Sequence, residues 1–201
     1  MDNQFSLLLP YPAVTPAPDE RDLSRLYDLY AGRFSELTTI STYVYQSIIV
    51  DNECVSRILK GIAIVEMRHL NLLGNAILAL GGDPVFAGRY NYFSGRYADY
   101  EKDLCVFLQN DIAGERSAAE SYRAAAELSR NGELSELLIR IALDEDLHVE
   151  LLENCYKSLC DCRGEWLEYN QIENLAVNLK TTLFSAACKK GEPQFFIKVS
   201  L

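Results

Sequence analysis

The chain has 201 residues, of which 49% are hydrophobic and 24% are charged, and its formal net charge is -10. This balance is typical of one folded domain and argues against long disorder or a fibrous chain. An acidic chain offers no basic surface to a phosphate backbone, and no uninterrupted apolar run reaches the roughly 18 residues of a membrane span. We therefore expect neither nucleic-acid nor membrane partners.

Residues 1–18 contain four of the six prolines, which predicts an extended N-terminal arm rather than a helix. The same segment lacks the positively charged start and the long apolar stretch of a secretory signal, so we expect a cytoplasmic protein. In a reducing compartment most of the six cysteines are expected to be buried thiols. Cys160 and Cys162 form only a lone C-x-C pair, which is weak evidence for a metal site.

Residues 19–160 combine helical periodicity with turn signals, and they predict an all-α four-helix bundle. The predicted helices run from Asp19 to about Val50, from Asn52 to Gly81, from Asp99 to Arg130 and from Gly132 to about Cys160. Residues 81–98 are rich in glycine and aromatics and too long for a tight turn, which predicts a long crossover between helices 2 and 3. Residues 161–201 are predicted to hold a fifth helix, at about 164–190, and a tail.

The chain contains an internal repeat, because a shift of 79 residues aligns its two halves without a gap. The shift pairs Glu36 with Glu115, Tyr43 with Tyr122, Asn52 with Asn131, Glu66 with Glu145 and His69 with His148. We therefore expect two helix hairpins of one design, related by a pseudo-two-fold axis.

Each of the two histidines follows a glutamate by three residues, as Glu66–His69 and Glu145–His148. Residues at i and i+3 share a helix face, so each pair directs a carboxylate and an imidazole to one side. Glu36 precedes the first hairpin turn by as many residues as Glu66 follows it, and Glu115 and Glu145 flank the second turn in the same way. This spacing places the four glutamates at one height in the bundle. The six predicted metal ligands are Glu36, Glu66, His69, Glu115, Glu145 and His148.

Four buried carboxylates need neutralisation, because each buried charge carries several kcal/mol of desolvation cost. Two divalent cations balance four glutamates when both histidines are neutral. Carboxylate and imidazole ligands without thiolates suit iron or manganese rather than structural zinc, so we expect two iron or two manganese ions per chain. The residues alone leave one alternative open, in which the glutamates are solvated and the histidines are ordinary core residues.

One glutamate on each of two helices and Glu-x-x-His on each of the other two resembles the ferritin-like di-iron and di-manganese carboxylate proteins, over residues 22–160. Within that superfamily, the stretches 93–97, 103–104 and 111–115 resemble the manganese catalases and their spore-coat relatives. In those catalases the glutamate equivalent to Glu145 tends not to bind the metals directly, so the resemblance leaves ligation by Glu145 open. Rubrerythrins carry a rubredoxin module with two C-x-x-C pairs, and this chain has no such pairs.

The resemblance implies an oxidoreductase of the catalase or peroxidase type, which acts on hydrogen peroxide, in a homo-oligomer of cytoplasmic or spore-coat location. It leaves open a di-iron ferroxidase or rubrerythrin-like peroxidase acting with dioxygen or peroxide, and also iron storage or a structural role in a spore coat. Tyr43 and Tyr122 follow the single glutamates by two helical turns, so we predict that at least one hydroxyl points toward the metals. Asp144 is predicted to orient His69 through its second ring nitrogen.

Overall fold

The computed structural model describes residues 4–160, which form an all-α bundle. Its helices are α1 (Glu20–Ala31), α2 (Glu36–Ile49), α3 (Glu53–Ala79), α4 (Leu104–Leu128) and α5 (Gly132–Leu159). Helix α2 packs on α3 and α4 packs on α5, which gives two hairpins, while α1 packs mainly on α3. The predicted all-α bundle with a long crossover between its two hairpins is therefore confirmed. The predicted helix at 164–190 lies outside the described residues.

The first predicted helix is wrong as one continuous element, because the chain breaks it into α1 and α2 at residues 32–35. Gly32 ends α1 in an extended conformation, and a Cβ atom there would lie 2.5 Å from the carbonyl oxygen of Asp28. Ser35 then caps α2, and the hydroxyls of Ser35 and Thr38 donate to the Gly32 carbonyl oxygen at 2.8 and 3.0 Å. Buried hydroxyls thus satisfy the backbone that the break exposes.

The two hairpin turns follow the repeat closely. Asn52 caps α3 by accepting from the Val55 amide at 3.0 Å, and Asn131 caps α5 by accepting from the Leu134 amide at the same distance. Both carboxamides satisfy an otherwise unpaired amide of the first helical turn. Equal caps start the two Glu-x-x-His helices at equivalent residues, and they therefore help to place the site at one height.

The crossover spans residues 80–103 and ends later than predicted. Helix α4 begins at Leu104 rather than near Asp99, because the Asp103 carboxylate caps it by accepting from the amides of Cys105 and Val106. The crossover lies against the break between α1 and α2, where a Cβ atom on Gly88 would be 3.0 Å from the Cα atom of Gly32.

Two apolar clusters fill the bundle, one at each end, and the polar residues of the candidate site lie between them. The cluster near α1 includes Leu26, Leu73 and Leu138, and the cluster at the opposite end includes Leu59 and Phe107. Helix α3 is long and apolar enough to cross a membrane by length and composition alone. Half of that stretch is buried in the bundle, as in the core helices of many soluble proteins.

The cysteine prediction needs correction, because Cys105 and Cys160 form a disulfide rather than two thiols. The bond joins the start of α4 to the end of α5 across a separation of 55 residues. Helical antiparallel packing brings these two ends together, which sequence spacing alone does not reveal. Cys155 is a buried thiol, as predicted, and its pKa is raised by burial to about 11. The cellular location of the protein stays a prediction.

Candidate metal centre

The structure brings all six predicted ligands together in the polar layer, where each residue is at most 4% exposed. They form two overlapping groups, in each of which the candidate ligand atoms lie within 4.8 Å of one another. The first group is Glu36, Glu66, His69 and Glu145, and the second is Glu66, Glu115, Glu145 and His148. Glu66 and Glu145 belong to both groups, so the geometry is that of two adjacent cation positions with two shared carboxylates.

The shared carboxylates face both histidines almost equally. Glu66 places one oxygen 3.0 Å from His69 Nδ1 and its other oxygen 2.8 Å from His148 Nδ1. Glu145 lies 3.1 Å from each of the same two nitrogens, again through different oxygens. Each Nδ1 atom has a single glutamate farther away, Glu36 at 3.8 Å from His69 and Glu115 at 3.7 Å from His148.

These residues fit a pair of divalent cations. Within the described part of the chain, Glu36 Oε2 is a buried oxygen with no hydrogen-bond partner. Buried carboxylate oxygens without a donor are costly, and a cation satisfies them. Oxygen and imidazole ligands around two adjacent positions suit iron or manganese.

The pKa values of the site residues indicate that protons can take the place of bound cations. Burial and repulsion by Glu66 raise the pKa values of Glu36 and Glu115 well above the ordinary value. Burial alone would lower the pKa values of His69 and His148, but neighbouring carboxylates, Glu145 for the first and Glu66 for the second, raise both well above the usual range. Each of these four groups therefore keeps a proton to higher pH than it would in water, and a metal ion that binds the same atom displaces that proton.

Tyr43 and Tyr122 place their hydroxyls in the site, each against the glutamate of the opposite half. Tyr43 donates to Glu115 Oε1, and Tyr122 donates to Glu36 Oε1. The pairing is crossed because α2 and α4 run antiparallel, so a residue two turns along one helix lies beside the glutamate of the other. Burial, followed by the charge of the bonded glutamate, raises both tyrosine pKa values, and both phenols stay protonated donors.

The outer nitrogens of the two histidines meet different partners. His69 Nε2 lies 3.1 Å from Asp144 Oδ2, the contact that the sequence predicted for this residue. His148 Nε2 lies 2.9 Å from the backbone carbonyl oxygen of Phe5, in the N-terminal arm. A carbonyl oxygen accepts only, so Nε2 of His148 carries the hydrogen and Nδ1 is the atom that faces the carboxylates.

The arm residues around the site were not predicted. Asp144 accepts from the Leu7 amide at 2.7 Å and from the Tyr11 hydroxyl at 2.5 Å, and Arg140 Nη1 lies 2.8 Å from Asp144 Oδ2. One sequence signal was available, since Arg140, Asp144 and His148 are spaced by four residues and form a buried polar row on α5. The N-terminal arm is the partner of this row, and it could not be identified from the sequence because the arm has no helical periodicity.

A cavity of about 220 Å³ opens between α2 and α4 and reaches the glutamates of the site. The wall is mostly apolar, with serine and threonine hydroxyls among the groups that line it. Arg33 also lines it, as does Asp111, whose pKa is raised well above the ordinary value by burial. The cavity gives small molecules a route to the side of the centre that bears Glu36 and Glu115, away from the histidines.

Comparison with known proteins places this architecture in a class. A family model described as ferritin-like matches residues 31–110. The structure is similar to KatB, a manganese catalase from Anabaena, with a TM-score of 0.69 and 23% identity over 77% of this chain and 80% of that chain. It is also similar to a mycobacterial bacterioferritin, with a TM-score of 0.58 and 24% identity over 85% of this chain and 93% of that one.

A third similar structure is the bacterioferritin BfrA from Mycobacterium tuberculosis, with a TM-score of 0.57 and 24% identity over 85% of this chain and 94% of that chain. No curated protein matches the sequence significantly. The chain therefore has the ferritin-like fold. A manganese catalase and bacterioferritins share this fold, so the reaction has to be argued from the site.

Proposed function

We propose that the chain is a dimetal oxidoreductase that holds two iron or two manganese ions and dismutates hydrogen peroxide. The observation that carries this proposal is the pair of overlapping ligand groups, which share Glu66 and Glu145 and enclose two adjacent cation positions. A metal pair of this kind supplies two-electron redox chemistry, as dismutation of peroxide requires. In this proposal Glu36, Glu66, His69, Glu115, Glu145 and His148 hold the ions.

The remaining residues of the site fix the ligands. The Tyr43 and Tyr122 hydroxyls each bind the Oε1 atom of a glutamate, which leaves Oε2 as the atom that faces the cation position. Because these phenols are buried and protonated, they hold the carboxylates in one orientation without adding charge. Asp144 and the Phe5 carbonyl fix the two imidazole rings from the outside.

The cavity supports a small substrate. Its wall includes hydroxyl groups, the side chains of Arg33 and Asp99, and Asp111, whose pKa is raised by burial. Hydroxyls can exchange hydrogen bonds with peroxide. The cavity is thus large enough for peroxide and offers it hydrogen-bonding groups next to the glutamates of the site.

A ferroxidase is the second candidate, and a specific observation favours it. Glu145 occupies the same kind of shared position as Glu66, with one oxygen 3.1 Å from each histidine. The resemblance to manganese catalases implied a glutamate outside the direct ligands at this place. A centre with four glutamate ligands suits di-iron oxidation chemistry equally well.

Oxygen evolution separates the two candidates. Protein loaded with manganese and protein loaded with iron, each of measured metal content, are mixed with hydrogen peroxide in an oxygen electrode. The proposal expects oxygen release by the manganese form without an added reductant. No release by that form, together with rapid ferrous oxidation by dioxygen in the iron form, would replace dismutation with the ferroxidase function.

A further inference from the structure

The two halves of the site are equivalent in their carboxylates but not in what holds their histidines. Asp144 lies next to Glu145, and the repeat places Val65 at the corresponding position beside Glu66. His69 therefore has a carboxylate partner for its outer nitrogen, at 3.1 Å, while His148 has the Phe5 carbonyl oxygen, at 2.9 Å. The two halves of the centre therefore differ in the groups that contact the outer nitrogens of their histidines.

The partner of His69 is a well-fixed anion. Arg140, the Tyr11 hydroxyl and the Leu7 amide hold Asp144, and the carboxylate is fully buried. A carboxylate is a stronger acceptor than a neutral carbonyl, and a strong acceptor makes the opposite ring nitrogen a more basic ligand. His69 should therefore bind a cation more tightly than His148.

The partner of His148 depends on how the arm is anchored. The ring of Phe5 lies against Gly61 of α3, where a Cβ atom would come within 2.2 Å of the ring carbon Cε2. Arg140 binds the next part of the arm by donating to the carbonyl oxygens of Leu7 and Leu9, at 2.8 and 3.2 Å. Glycine at position 61 thus leaves the space that the Phe5 ring occupies when its carbonyl contacts His148.

We propose that the two metal positions are unequal, with the position at His69 filled first and more tightly, and that the Phe5 carbonyl in the N-terminal arm positions His148 at the weaker one. The inference rests on the proposed dimetal centre. It assigns the arm a role in metal binding, beyond covering the bundle.

Stepwise titration of the metal-free protein with Co²⁺, followed by visible absorption and calorimetry, tests this inference. The wild type should bind two ions in two steps whose affinities differ by about tenfold or more. Gly61→Ala displaces Phe5 and should weaken the second step by roughly 10–100-fold while leaving the first. Gly132→Ala is the matched control, because it also adds a methyl group to a helix but meets nothing within 4 Å.

Two further variants identify the positions. Asp144→Asn should weaken the first step more than the second, the reverse of Gly61→Ala. Phe5→Ala releases the arm without inserting an atom into α3, and it replaces Gly61→Ala if that variant does not fold. A general structural defect would instead weaken both steps together.

Two equal steps in the wild type, or equal losses in both steps of Gly61→Ala and Phe5→Ala, would overturn the unequal positions. A wild type that binds fewer than two ions would overturn the dimetal centre itself. Two unequal steps in a protein without peroxide activity would overturn the proposed reaction alone.

Discussion

Metal uptake by this chain should release protons, because four groups of the site have raised pKa values and a cation must displace any proton that they hold. The pKa values of Glu36 and Glu115 are raised by burial and by Glu66, and those of His69 and His148 are raised by their carboxylate neighbours against the effect of burial. Each group is protonated below its raised pKa, and each must lose the proton to bind a metal through that atom. Metal affinity should therefore fall as the pH falls.

The upper limit of this effect is four protons for two ions, one for each group whose pKa is raised. With four protons linked to binding, the overall constant for both ions changes by up to about four powers of ten per pH unit, or roughly 5 kcal/mol. The four positive charges that arrive replace the four that leave as protons, so the buried layer keeps the same net charge. Such exchange explains how four carboxylates remain buried in either state.

Calorimetric titration with Mn²⁺ in two buffers of different ionisation enthalpy measures the number of protons released, near pH 7. Glu153→Gln is the control, because Glu153 is a surface carboxylate whose pKa is lowered by Lys157 and not raised. It should release as many protons as the wild type. Release of one proton or none would show that the site carboxylates are already ionised, and the electrostatic account of the layer would be wrong.

Three more predictions concern individual side chains. Glu66→Gln combined with Glu145→Gln removes both shared carboxylates and should reduce bound manganese or iron to less than one ion per chain by elemental analysis. Tyr122→Phe leaves a buried carboxylate oxygen without its donor, a cost of about 1–3 kcal/mol, and should weaken stepwise metal binding roughly tenfold. Leu138→Ala, at a position that is 1% exposed, should lower the free energy of unfolding in urea by about 2–5 kcal/mol. The neighbouring Ile139→Ala, at a position that is 42% exposed, should change it by much less.

The sequence predicted the parts of this molecule that depend on helical spacing. The 79-residue repeat and the Glu-x-x-His pairs fix which side chains share a helix face, and the structure places those side chains in one layer. The Asn52 and Asn131 caps follow from the same repeat. Spacing within a helix is local, so one sequence contains all the information that these predictions need.

Features that depend on contacts with the non-helical arm and crossover were missed. Leu7 and Asp144 are 137 residues apart, and nothing in the arm reveals that its backbone contacts α5. The break at residues 32–35 depends on Gly32 meeting Gly88 of the crossover and on buried hydroxyls, which override continuous helical periodicity. Periodicity reports which face of a helix is buried, but not where packing against another segment ends the helix.

The cavity between α2 and α4 gives a last prediction about access to the centre. Ser121 lines the cavity on α4, and its neighbour Glu120 is exposed and does not line it. Ser121→Trp should put an indole ring across the cavity, whereas Glu120→Trp adds the same ring to the same helix on another face.

Because neither residue is a ligand, both variants should keep two metal ions per chain. If peroxide reaches the centre through this cavity, Ser121→Trp should lower kcat/KM for peroxide by roughly tenfold or more, a loss of at least about 1.4 kcal/mol in transition-state stabilisation. Glu120→Trp should stay near the wild-type value. Equal activity in the two variants at equal metal content would mean that the substrate enters elsewhere, and the cavity would no longer support the proposed reaction with peroxide.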